Sequence, residues 1–488
     1  MHVDPKDIAA LLPEILLTLG ALVLMLSEVF LRGERRGYQG FVAAAFAAGA
    51  FLAFVPQVGD PARTIFGGFA VADAFATFLG MVVCVGLFVT ALLGAGFLRP
   101  RAAERGEFYA LCLLAAAGMC LLVRGDDLLF LFIALEVMSV STYALAAYLR
   151  VGTRPAESAF KYFILGAFSS ALFLYGSALC YGAAGGTSLA VLRVAGQGPL
   201  LLAGLALLVS GLAFKLAVVP FHMWTPDVYE GAPTPVTSFL SVGVKTAALA
   251  ALARILVTAF GAAAKPATWL PLIEGLAILT VVFGNLLALS QRNVKRMLAY
   301  SSVAHAGYLL VAVAAAASVS ARADAVTGML FYLAAYTATT AGAFAALAAL
   351  ERLWPDDPAP WDIERFAGLA RRRPWAAAAT ALLMLSLAGV PPSAGFVGKL
   401  LVFRAAVNAG LVPLAIVGVL ASVIGLYYYL RVVVVMYMQP APAGQIPGAT
   451  GWPLDLALAA TSLAVLLVGL GPGPLVAAAT ASAALFGG

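Results

Sequence analysis

The sequence predicts an all-α polytopic membrane protein of about fourteen transmembrane helices, and three observations carry that prediction. Mean hydropathy is +1.00. Hydrophobic residues make up 63% of the chain and charged residues only 11%, against roughly 25% charged in soluble domains. Apolar runs longer than about 18 residues, enough to cross a bilayer as a helix, recur from end to end. These runs are continuous rather than alternating, which argues against transmembrane strands. A length of 488 residues would suggest two or three soluble domains. Here it reads as one helical bundle.

In order, the spans fall at about 8–32, 38–56, 72–98, 107–123, 127–149, 157–183, 199–221, 235–260, 268–290, 295–317, 325–352, 375–408, 411–438 and 452–470. The apolar stretch after Gly471-Pro472-Gly473-Pro474 reads as a continuation of the last span. The first run is longer than a signal-peptide core, lacks a basic leader and is followed at once by more spans, so no cleaved signal is expected.

Loop charges orient the bundle. On one side lie Arg32, Arg35, Arg36, Arg99, Arg101, Arg105, Arg150, Arg154, Arg292, Lys295, Arg296, Arg352, Arg365, Arg371, Arg372 and Arg373. The other side has Lys6, Arg63, Arg124, Arg193, Lys265 and Arg322. Sixteen against six makes the first side cytoplasmic and places both termini outside. Topology accounts for the net charge of +6, and no basic stripe calls for nucleic acid. One loop is long and polar, Trp354 to Arg373. It reads as a solvated connector, with docking of a neighbouring subunit as the alternative.

Two spans are interrupted. The seventh runs Lys215-Leu216-Ala217-Val218-Val219-Pro220-Phe221-His222, and the twelfth Gly389-Val390-Pro391-Pro392-Ser393-Ala394-Gly395. Proline removes an amide donor and clashes with the preceding turn, so each helix must break or kink. Freed carbonyls survive at membrane depth only against protein or water. The breaks are five spans apart. Spans four to eight and nine to thirteen therefore pair as two five-helix units, the second inverted, an arrangement in which broken helices flank a midplane pathway. The chain divides accordingly into 1–104 (three spans), 105–262 (first unit), 263–438 (second unit) and 439–488 (last span and tail).

Charges inside the spans carry the functional reading. Glu136, Lys215, Lys245 and Lys399 sit within apolar runs, where a central charge costs roughly 2.5–3.5 kcal/mol on insertion scales. Glu136 is the obvious partner for Lys215 if spans five and seven touch, since paired charges share the desolvation cost. Lys245 has no carboxylate close in sequence, and burial favours the neutral form of a lysine, which is what proton exchange requires. Lys399 follows the second break. His305, central in span ten and preceded by Ser301 and Ser302, is a candidate relay. His222 and Lys161 are accessory candidates, although Lys161 also fits a snorkelling residue near a helix end. Asp227 and Glu230 read as a rim that collects protons or as ordinary solvated surface.

The stretch Phe214 to Ala248, with Val244-Lys245-Thr246, resembles the antiporter-like, proton-pumping membrane subunits of respiratory complex I, NADH:quinone oxidoreductase. Asn293-Val294-Lys295-Arg296-Met297-Leu298-Ala299-Tyr300-Ser301-Ser302 and Gly389 to Phe396 are similar to the same family, and the likeness covers about residues 105 to 435. The wording Asp227-Val228-Tyr229-Glu230-Gly231-Ala232 resembles the subunit N branch, equivalent to mitochondrial subunit 2. Lysine at 399 departs from the subunit M branch, which has glutamate there. By resemblance, Glu136 and Lys215 form a charged pair, Lys245 is the central relay, His305 a bridge and Lys399 the terminal proton site.

The resemblance also implies an enzyme subunit of the translocase class in a bacterial inner membrane. Its neighbours would be other membrane-arm subunits, including another antiporter-like chain and small membrane subunits. NADH, FMN, iron–sulfur clusters and quinone would belong to partner chains, and this chain is expected to carry no cofactor or metal. Cys84, Cys112, Cys120 and Cys180 show no CxxC spacing and read as packing residues. The alternatives are a subunit of a multi-subunit sodium/proton antiporter, the quinone oxidoreductase of photosynthetic membranes, and a scaffold whose charges lock helices together.

Overall fold

A computed structural model describes residues 4–30, 37–149, 153–261, 266–353, 360–441 and 451–486. Of the residues used above to orient the bundle, Arg32, Arg35, Arg36, Arg150 and Lys265 lie outside the described residues, as do positions 354–359 of the polar connector and the side chain of Arg154. Thirteen described helices are long and apolar enough to cross a membrane: Leu12–Phe30, Gln39–Gln57, Ala74–Arg101, Gly106–Arg124, Leu128–Ala146, Pro155–Ala184, Pro199–Leu216, Thr234–Ala259, Thr268–Leu289, Val294–Ala315, Arg322–Leu353, Val412–Met438 and Trp452–Leu470. The expected twelfth span is instead two helices, Pro374–Ala388 and Ala394–Asn408, of 15 residues each. Each half covers only about 22 Å of a roughly 30 Å hydrocarbon core. Together they complete fourteen spans, numbered below in chain order.

Short polar side chains cap the spans where the sequence turns apolar. Asp73 accepts the amide of Ala76 at 2.7 Å to start span three. Asp127 accepts that of Leu129 at 2.8 Å for span five, and Asn293 that of Lys295 at 2.9 Å for span ten. Each satisfies donors a helix start otherwise leaves free.

Spans eight, ten and eleven are buried along nearly their whole length, whereas spans one, two, six, nine, thirteen and fourteen each present an exposed face. The helices that carry Lys245 and His305 are thus the innermost ones. Two π-helical turns, Leu240–Val244 and Ile255–Ala259, flank the α-helical stretch Lys245–Arg254 of span eight.

Four features differ from the sequence expectation. Span seven stops at Leu216 rather than near 221, because Ala217 takes a left-handed conformation (φ 59°) and the chain then runs irregularly to a short helix, Thr225–Gly231. The apolar tail does not extend span fourteen. The chain leaves helix at Gly471 (φ −130°, ψ 68°) and forms a separate helix, Gly473–Ala483. The loop between spans two and three holds a small hairpin, β1 Arg63–Ile65 against β2 Ala70–Ala72. Asp7 pins it by accepting from Arg63 at 3.1 Å and from the Phe66 amide at 3.0 Å.

The fourth difference concerns Arg124, which the loop count takes as a surface charge. It is buried, donating to Glu14 at 2.6 Å and Gln57 at 2.8 Å. Beside it Arg254 grips Asp73 with both guanidinium arms, at 2.8 and 3.2 Å, and donates to the Val123 carbonyl at 3.2 Å. These contacts fasten spans one, two, three, four and eight at the end opposite the arginine-rich side. Buried ion pairs of this kind add little net stability, but losing one partner is costly.

Candidate proton-relay site

Both helix breaks free backbone carbonyls, and side chains take them up. In span twelve Gly389 adopts a left-handed conformation (φ 84°), and the Val390 amide folds back to the Leu385 carbonyl at 3.0 Å. This turn closes the half-helix but leaves later carbonyls unpaired. Lys399, at the start of the second half, fills the gap: its Nζ donates to Leu387 O at 3.0 Å, Ala388 O at 2.9 Å and Ser422 Oγ at 2.8 Å. The same ammonium lies 4.9 Å from the centre of the Tyr308 ring. In span seven Trp224 Nε1 donates to the Phe214 carbonyl at 3.0 Å, and Thr280 of span nine accepts the Val219 amide at 3.1 Å.

Lys215 ends the first half-helix inside an aromatic enclosure. Its Nζ donates to Tyr143 Oη at 2.8 Å and sits 4.8 Å from the Tyr143 ring centre and 6.0 Å from that of Tyr162. Lys215 thus bonds Tyr143 directly, and the Glu136 charge acts on it without direct contact. Tyr143 lies seven residues, about two turns, beyond Glu136 on the same face of span five. Glu136 Oε1 is buried without a partner.

Lys245 has no carboxylate within 4.0 Å among the described residues. Its Nζ donates to the Ser302 carbonyl and, at 2.6 Å, to Ser302 Oγ. That hydroxyl is a junction: Tyr336 Oη donates to it at 3.0 Å, and Tyr229 Oη shares a hydrogen bond with it at 3.2 Å. His305 lies one turn further along span ten. Its Nδ1 bonds Tyr332 Oη at 2.6 Å and its Nε2 Tyr429 Oη at 3.2 Å, while Tyr429 Oη also bonds Ser301 Oγ. The ring centre of His305 is 5.0 Å from that of Tyr336.

Between these groups and the second break lies a cavity of about 10 Å³, lined by His305, Tyr332, Tyr336, Thr339, Ser386 and Leu387 among others. That volume is close to the lower limit for one water. The structure thus brings Lys245 and His305 together around Ser302 and Tyr336, and the cavity wall reaches Leu387, whose carbonyl holds Lys399, while Lys215 and Tyr143 form a separate contact. Sequence reading missed the tyrosines that join them. Tyr143 and Tyr332 carry a legible signal, hydroxyls on apolar spans, but their partners are set by tertiary packing.

On the arginine-rich side a pocket of about 540 Å³ is lined by Glu157, Lys161, Asp227, Glu230, Arg296 and Trp361, with smaller neighbours. Lys161 bridges Glu157 at 2.8 Å and Asp227 at 2.9 Å, and Arg296 bridges Asp227 at 3.0 Å and Glu230 at 2.7 Å. Lys161 is therefore paired rather than snorkelling freely. His222 is half-buried beyond the first break with Nδ1 unpartnered.

Burial alone would raise Asp227, but hydrogen bonds from Lys161 and Arg296 outweigh it and hold the carboxyl below its usual value of 3.8. A carboxylate depressed in the folded state contributes fully above its unfolded value and loses that contribution only as pH falls through the folded one. This pocket network should therefore persist between pH 5 and 8. An Asp227→Asn variant is expected to keep the wild-type shape of its pH–activity profile across that range; an altered profile would show that Asp227 titrates there.

Among the described residues no three His, Cys, Asp or Glu side chains come together as a metal site, and all four cysteines are buried and unbridged.

The chain is similar to known proteins along its length. A family model described as NADH:quinone oxidoreductase/Mrp antiporter, TM, matches residues 125–425. NADH-quinone oxidoreductase subunit N of Myxococcus xanthus is 50% identical, over 99% of this chain and 98% of its own length. A chain of respiratory complex I from Thermus thermophilus superposes with a TM-score of 0.81 at 36% identity, covering 96% of this chain and 99% of that one. A chain of the Mrp complex from Dietzia superposes with a TM-score of 0.84 at 25% identity, covering 99% and 98%.

Proposed function

Because the chain belongs to the NADH-quinone oxidoreductase subunit N family, we propose that it is a proton-translocating membrane-arm subunit, driven by redox chemistry in partner chains. One observation carries this reading beyond the family. Lys245 is joined through Ser302 and Tyr336 to the small cavity beside His305, and the cavity wall includes Leu387, whose carbonyl holds Lys399. Lys245 is thereby linked by hydroxyls towards His305, and the gap between His305 and the carbonyl that holds Lys399 is about the size of one water.

In this reading the arginine-rich side is cytoplasmic and both termini are periplasmic, in a bacterial inner membrane. The charged pocket at Asp227 and Glu230 is the inlet. A proton reaches Lys245, crosses by way of His305 to Lys399, and leaves on the opposite side. Glu136 and Lys215 act as the switch: at a few ångströms and an effective dielectric near 20, moving a charge near the line alters its proton affinity by a few kcal/mol. The two five-helix units each supply one half of the path, supported by a break and a lysine at corresponding places. Partners would be another antiporter-like chain and small membrane subunits. NADH, FMN, iron–sulfur clusters and quinone would reside in other chains.

The likeness to the Mrp complex supports a shared fold, and the higher identity to subunit N favours the redox-driven role over sodium/proton antiport. Extraction in mild detergent should bring the chain out with NADH-oxidising subunits, and the reconstituted assembly should acidify vesicles on NADH addition. Lys399→Ala should lower the protons moved per NADH in that assay. Copurification with antiporter subunits, or an unchanged proton yield in the variant, would count against the reading.

A further inference from the structure

We propose that Lys295, which the relay above leaves out, is the proton carrier between the cytoplasmic pocket and Lys245, an inference that rests on that relay. The loop count treats Lys295 as a surface charge, yet it is only 1% exposed. Its Nζ donates to Ala232 O at 2.8 Å and Glu230 O at 3.3 Å and lies 4.5 Å from the Trp361 ring centre. No carboxylate oxygen is within 4.0 Å of it among the described residues. Other charged groups that face it are Glu230, Glu351, Arg101 and Arg296, the last its chain neighbour. A buried ammonium with no carboxylate in direct contact is costly to keep permanently charged.

Its position is what assigns the role. The segment Tyr229 to Ala232 touches three places at once. The Glu230 carboxylate lines the pocket and accepts from Arg296 at 2.7 Å. The carbonyls of Glu230 and Ala232 hold Lys295. Tyr229 Oη reaches Ser302 Oγ at 3.2 Å, the hydroxyl that accepts from Lys245 at 2.6 Å. Ser302 is seven residues beyond Lys295, two turns along one face of span ten, or about 10 Å. Lys295 therefore lies behind the Glu230 and Trp361 wall of the pocket, two turns from the Ser302 junction. The step is a proton transfer only: an N–H bond forms on the neutral amine as an O–H bond of a pocket hydronium breaks, and on release an N–H bond of the ammonium breaks as an O–H bond forms on a bridging water that leads to the Tyr229 and Ser302 hydroxyls.

Arginine keeps both carbonyl bonds but does not release its proton, whereas histidine exchanges one near pH 6.5. In the assembled complex in inverted membrane vesicles, Lys295→Arg and Lys295→Met should each lower NADH-driven proton uptake about tenfold, and Lys295→His should recover more of it at pH 6 than at pH 8. Full uptake in Lys295→Arg would make the residue a structural tie and overturn the proposal. If Lys295→Met fails to assemble, the histidine variant decides: uptake with the wild-type pH profile overturns the inference. Lys245→Ala, measured alongside, separates the two levels. Normal uptake in that variant removes the relay itself, whereas impaired uptake there with normal uptake in Lys295→Arg removes only this step.

Discussion

Lys245→Ala in the assembled complex should bring NADH-coupled proton translocation through this chain close to background while the protein still accumulates in the membrane. Loss of a positioned proton-transfer group typically costs about 10²–10⁴-fold, and Lys245 is the group that bonds the Ser302 junction from span eight. Assembly should survive for a structural reason. Ser302 Oγ keeps Tyr336 and Tyr229 as partners when the ammonium goes, so no buried polar atom is orphaned, and an unpaired buried charge is removed rather than created. A scaffold role predicts the opposite pair of results, normal pumping per complex and fewer complexes. Proton uptake by dye quenching in inverted vesicles, normalised to complex abundance on a native gel, distinguishes them.

Arg254→Ala should give the largest loss of stability of any single change outside the relay, about 3–5 kcal/mol, because it leaves the Asp73 carboxylate buried without its partner. Asp73 is itself only 3% exposed and caps span three through the Ala76 amide. The double variant Arg254→Met, Asp73→Asn should recover most of the loss, since asparagine retains a cap and no charge remains unpaired. Resistance of the purified complex to heat in detergent reads both outcomes. A double variant no better than Arg254→Ala would place the cost in packing rather than in charge.

Hydropathy made the spans legible because each must satisfy lipid along its length, and proline made the breaks legible because it cannot sit inside a hydrogen-bonded turn. Position relative to the apolar runs was less informative at their edges. Lys295 and Arg124 both stand at the end of a run, where sequence alone does not separate a loop charge from a buried one. Tertiary packing decides it: residues 361–363 of the connector pair with the start of span ten, the Val294 amide donating to Trp361 O at 2.8 Å and the Ile363 amide to Arg292 O at 3.0 Å, and so roof over Lys295. The Lys215–Tyr143 bond was hidden for a similar reason. Glu136 supplied the complementary charge, but the residue that meets the ammonium is the hydroxyl two turns on.

The roughly 10 Å³ chamber beside His305 bears on which ion can travel the line. Hydrogen nuclei move along such a thread by swapping partners, so a bottleneck one molecule wide does not stop them. Sodium has to carry its shell or exchange it for a ring of oxygens, and a chamber of about one water's volume does not hold the hydrated ion. In the proposed relay, a chamber of that size would discriminate between ions by transport mode rather than by charge.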